Sequence, residues 1–128
     1  MEYTKAVIPI EEICHKILKK SVLDIFYLII KDSNLSQADI KQKFAQYDPE
    51  PNAKATKYRS HIEIGIACLE SVLFIDSWQD GTALRYYLTP YGKIAKAIVT
   101  NLMEEIDETM LLGSIVVKKV IEGDINNV

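Results

Sequence analysis

The sequence predicts a mainly α chain with a small β-hairpin, an α+β fold. Three observations lead there. Apolar residues recur at helical spacing from Ile10 to Ile29 and again from Ile94 to Leu111. Two runs rich in aromatic and branched residues, Leu73-Phe74-Ile75 and Leu84-Arg85-Tyr86-Tyr87-Leu88, lie between those stretches. Asp80-Gly81 separates the two runs, and this pair favours the tight turn of a hairpin.

The first helical stretch carries Ile13, Cys14, Ile17, Leu18, Val22, Ile25, Phe26 and Ile29 on one face. Pro9 suits its start, and Lys19-Lys20-Ser21 predicts a break into two helices. The polar cluster Lys31 to Asn34 ends it. Ser36 is a good N-cap for a short helix from Gln37 to Phe44. Leu35 and Ile40 are spaced as a hydrophobic staple, and Asp39 complements the dipole at the helix start. Pro49 and Pro51 then forbid regular helix. A third helix is expected from near Ala53, with Tyr58, Ile62, Ile66 and Leu69 buried. Its outward face carries Thr56, Lys57, Ser60, Glu63 and Ile64, flanked by Lys54, Arg59 and His61, and the N-terminal half of that face is basic and hydroxylic. After the hairpin, Thr89-Pro90 supplies an N-cap and a proline at the first helical position. A further apolar stretch runs from Leu112 to Ile121 across Gly113.

The chain has 128 residues and a net charge of −3, distributed unevenly. Residues 51–100 carry 6 basic and 4 acidic side chains, and residues 101–128 carry 2 and 6. Pro51 to Ile62 and Gly81 to Met103 contain no acid, so an anionic partner is compatible with the acidic whole. The opening MEYTKAVIPIEE lacks the basic and apolar regions of a signal peptide, and no apolar run reaches membrane-spanning length. A cytoplasmic location without a membrane partner is the expectation.

The order helix, helix, helix, hairpin, helix resembles the winged helix-turn-helix. The segment RYYLTPYGK, from Arg85 to Lys93, resembles the YxLTxxG segment of the MarR, PadR and archaeal winged-helix regulators. There it forms the second wing strand and the entry to the C-terminal helix. Two features depart from that pattern: the loop from Gln46 to Ala53 is longer, and Gly81 and Thr82 follow the tip acid where an arginine is frequent. The resemblance implies a helical extension over residues 1–20, a winged helix-turn-helix over 21–90, and a C-terminal dimerisation helix and tail over 91–128.

It also implies a homodimeric transcriptional regulator that binds double-stranded DNA. Lys54, Thr56, Lys57, Arg59, Ser60 and His61 would face the groove from the third helix. Ser36 and Gln37 would offer a helix start to a phosphate, and Gln79, Thr82 and Arg85 would contact DNA from the wing. Lys57→Glu is expected to weaken DNA binding and leave folding intact. Ile94, Ile98, Leu102, Ile106 and Met110 form the stripe expected at the dimer interface. The runner-up is a winged-helix module that binds protein and does not read DNA.

Enzyme activity is not expected, because GxGxxG, P-loop, GxSxG and HExxH signatures are lacking. The acid run Glu104, Glu105, Asp107 and Glu108 reads as a solvated face. Cys14, His15, His61 and Cys68 show no chelating spacing, so neither a metal nor a cofactor is expected. Both cysteines read as core thiols.

Overall fold

A computed structural model of the chain describes residues 7–104 and 108–126, without the side chains of Leu102 and of residues 124–126. The element order begins with α1 (Ile10–Ile17), α2 (Lys20–Lys31), β1 (Leu35–Ser36) and α3 (Gln37–Tyr47). A 3-10 turn (Ala55–Tyr58) leads into α4 (Arg59–Ser71), followed by β2 (Ile75–Asp80) and β3 (Ala83–Leu88). The chain closes with α5 (Pro90–Leu102), α6 (Glu108–Leu111) and α7 (Val116–Asn126). The expected α+β class is therefore observed: a mainly helical chain with a small antiparallel sheet.

The expected break lies at Leu18 and Lys19, between α1 and α2. Lys20 takes a φ of 56° there, a left-handed backbone that side chains rarely adopt. Ser36 caps α3 as expected, and the cap is reciprocal. Its Oγ accepts from the Asp39 N–H at 3.1 Å, while Asp39 Oδ2 accepts from the Ser36 N–H at 3.0 Å. Leu35 and Ile40, the two residues of the staple, are both buried.

The sheet has three strands, not the two of a hairpin. β3 lies in the middle, with β2 on one side and β1 on the other, all antiparallel. Leu35 faces Tyr86 and Ser36 faces Arg85 across the β1–β3 pairing. α2 packs on α4 and β3, α3 on α4, and α1 on α5. Phe26, Phe44, Phe74, Ile62 and Leu69 are fully buried between these layers.

The third helix starts later than expected. Lys54 to Tyr58 form the 3-10 turn and its cap, and α4 proper begins at Arg59. The C-terminal stripe is likewise not one continuous helix. α5 ends at Leu102, α6 is a single turn, and α7 returns to pack on α2 and α3. Val116 and Val117 are fully buried by that return. Much of the apolar surplus of the C-terminal region is thus used within the chain. No helix among the described residues is long and apolar enough to cross a membrane.

Candidate nucleic-acid interface

The start of α4 is shaped by Asp48, a residue that sequence reasoning did not single out. Asp48 ends α3 and is buried. Its Oδ1 accepts from the Glu50 N–H at 2.8 Å, turning the chain at Pro49. Its Oδ2 accepts from Lys57 Nζ at 2.9 Å and from the Tyr58 hydroxyl. The hydroxyl, the Glu50 amide and the Lys57 ammonium together hold the Asp48 carboxyl down at about 2. The proline loop is therefore fastened to the 3-10 turn, and Tyr58 lays its ring against Phe44.

Lys57 was expected to stand free on the outward face. Instead it is half tucked against Asp48, with Glu50 Oε2 at 4.0 Å from its Nζ. Arg59 is exposed and donates to Glu63 Oε1 at 3.0 Å, one helical turn on. Such an exposed pair is weak and opens readily to a competing anion. Lys54, Thr56, Ser60 and His61 are exposed. Lys54 makes no ion pair among the described residues. The face is basic and hydroxylic as expected, with less unpaired charge than its composition suggests.

The hairpin turns at Gly81, whose φ is 64°, and Thr82 is exposed at its tip. Gln79 donates to the Gly81 carbonyl at 3.2 Å. Arg85, expected among the DNA contacts, is occupied within the chain. Its Nε donates to Asp80 at 2.7 Å, and its Nη1 reaches the Asn34 carbonyl at 3.1 Å and Asp39 at 3.5 Å. Ser36 is buried in its own cap, and Asp39 places a carboxylate at the α3 start where a phosphate was expected. The Ser36 amide and, more weakly, Arg85 keep that carboxylate below its ordinary range. Gln37 and Thr82 meet across a cleft of about 320 Å³ also lined by Ala38 and Leu84.

Of the expected dimer stripe, Ile94 is 53% exposed, whereas Ile98 is half-buried against the core and Met110 is half-buried. The Leu102 side chain and Ile106 lie outside the described residues. Cys14 is a core thiol as expected, but Cys68 is only half-buried on α4. Asp48 is nine residues from Lys57 and Asp80 is five from Arg85, spacings that do not read as helix pairs. Comparison with protein-family models, curated proteins and solved structures yields no match.

Proposed function

We propose that this chain is a winged-helix protein that binds double-stranded DNA as a homodimer, with α3 and α4 as its helix-turn-helix and β2–β3 as its wing. One observation carries the reading: the order α2, β1, α3, α4, β2, β3 with β3 central in the sheet. The helices and the hairpin follow the order expected from the sequence, and β1 adds a third strand that was not expected. α4 would enter the major groove, with Lys54 and Thr56 of the preceding 3-10 turn and Arg59 and Ser60 of α4 touching phosphates and base edges. Lys57 would act from its pairing with Asp48, orienting the helix start. The dimer would form through the exposed residues Leu73, Tyr91 and Ile94. Transcriptional regulation in the cytoplasm follows from that reading.

A second reading, a protein-binding module, is favoured by the pairing of Lys57, Arg59 and Arg85 with acids of the same chain. An electrophoretic shift series with the DNA upstream of the coding sequence, at several salt concentrations, separates the two. DNA binding predicts an affinity that falls steeply with salt. Lys54→Glu should then weaken binding by about 1–3 kcal/mol without changing the melting temperature. Absence of any salt-dependent shift, or equal affinity for the variant, would leave the protein-binding reading.

A further inference from the structure

A concave surface lies on α4 away from the wing, in a groove of about 520 Å³ between α4 and the α1–α2 junction. Its volume falls in the range of roughly 300–1,000 Å³ usual for small-molecule sites. Its walls are apolar: Ile17 and Val22 on one side, Ile64 on the other, with Gly65 on the floor. Gly65 has a packing reason, since a Cβ there would meet Ile25 Cδ1 at 2.3 Å. Ile64 is 69% exposed, more than a fold-stabilising isoleucine needs.

The polar edge of the groove carries one sign of charge. Lys16, Lys19 and Lys20 line it, and no acid is among the lining residues. None of the three lysines forms an ion pair among the described residues. α2 also starts here without a side-chain cap and without an acid in its first turn, so its dipole adds to the positive potential. Lys20 supplies an independent sign of use. It holds a left-handed φ of 56° at which glycine is unstrained, and it carries a long cationic side chain. Its aliphatic stem lies beside Gly113, the closing edge of the groove.

We infer that this groove binds an amphipathic monoanion, a carboxylate on an aliphatic acyl chain, with the chain along Ile17, Val22 and Ile64 and the carboxylate at Lys20. Branched aliphatic walls fit a flexible chain, and a cationic edge with no acid complements a single negative head. The site stands whether or not α4 reads DNA.

Cys68 lines the groove and Cys14 is buried in the core, so the rate of thiol labelling in the native protein reports occupancy at Cys68 alone. The probes are decanoate, neutral decanol and benzoate, each below its aggregation concentration, with binding followed by calorimetry. Decanoate is expected to bind once per chain and to slow Cys68 labelling about five-fold or more. Decanol, which lacks the charge, and benzoate, which lacks the chain, should each bind about ten-fold more weakly. Lys20→Gly should weaken decanoate about ten-fold, leave decanol unchanged and not lower the melting temperature. If that variant misfolds, Lys16→Gln with Lys19→Gln tests the same charge dependence. Equal binding of decanoate and decanol, or labelling of Cys68 indifferent to decanoate, would overturn the proposal. So would protection of Cys68 that grows with protein concentration in the absence of ligand, since a second copy would then cover the groove.

Discussion

The carboxylate of Asp24, on α2, accepts the backbone N–H of Val117, at the start of α7, at 2.9 Å across a separation of 93 residues. The same carboxylate accepts from the Ser114 hydroxyl at 2.6 Å and from the Ile115 N–H at 2.8 Å. Asp24 is fully buried and thereby caps a helix that is remote in sequence. Burial pushes its carboxyl up, and the hydrogen bonds from Ile115, Ser114 and Val117 pull against that. The return of the C-terminal segment onto α2 is therefore specified by one acid inside an otherwise apolar stripe.

Asp24→Ala should cost about 2–3 kcal/mol, because it strips the cap and leaves buried donors without an acceptor. Urea unfolding measures the loss. Amide exchange locates it, with Val116 and Val117 losing protection before Ile62 and Leu69. Uniform loss of protection across the chain would mean that α7 is not a separately released unit.

Asp48 behaves oppositely with pH. Its folded value of about 2 lies below the ordinary 3.8. Its contribution to stability is therefore fully present above the ordinary value and is lost as pH falls through that window. Tyr58→Phe removes the hydrogen bond that contributes most to the depression. The Asp48 carboxyl, followed by carbon-detected NMR, should then titrate closer to 3.8 than in the parent chain. An unmoved midpoint would show that the Glu50 amide and Lys57 suffice.

These two acids mark what was and was not legible in the sequence. The helical periodicity of α1 and α2, the lysine break between them, the Ser36 cap and the Asp80-Gly81 turn are all local, and each is found where expected. β1 has only two residues, too few for alternation to show, so the sheet was read as a hairpin. The return of α7 was not legible because Asp24 and Ser114 are 90 residues apart. At the candidate interface the residue types were readable, but not their pairing. Lys57 and Arg85 look free in a charge pattern and are tied to Asp48 and Asp80 in space.

Two residues of the RYYLTPYGK segment, Thr89 and Gly92, have a packing reason. Thr89 caps α5, accepting from the Gly92 N–H at 2.9 Å and donating to the Leu73 carbonyl. A Cβ on Gly92 would sit 1.9 Å from the Phe74 carbonyl oxygen, which already accepts from the Thr89 N–H. Gly92→Ala must therefore push α5 away from the entry to β2. A loss of about 2–4 kcal/mol is expected in chemical denaturation. A loss below about 1 kcal/mol would mean that α5 can shift without disturbing the core.

Leu73 joins α4 to β2 with a φ of 65°, the position in a helix end where glycine is usual. The Phe74 N–H reaches the Leu69 carbonyl and the Leu73 N–H reaches the Glu70 carbonyl, each at 3.0 Å, so the turn is a fully formed helix stop. Its side chain is nevertheless 66% exposed. Tyr91 packs on the neighbouring Phe74, and Ile94 lies one turn along α5 from Tyr91, so Tyr91 and Ile94 share one side of α5 near the α4–β2 joint. A strained, exposed leucine at this joint is accounted for if the proposed dimer buries it. Leu73→Gly should then raise the stability of the isolated chain by about 0.5–1 kcal/mol while weakening the dimer. Ile94→Glu should separate the dimer outright, by burying a charge at its centre. Light scattering at micromolar concentration checks both, against a chain mass of 14.5 kDa. A parent chain that scatters as a monomer at high concentration would remove the dimer, and Leu73 would then be strain with no partner to justify it.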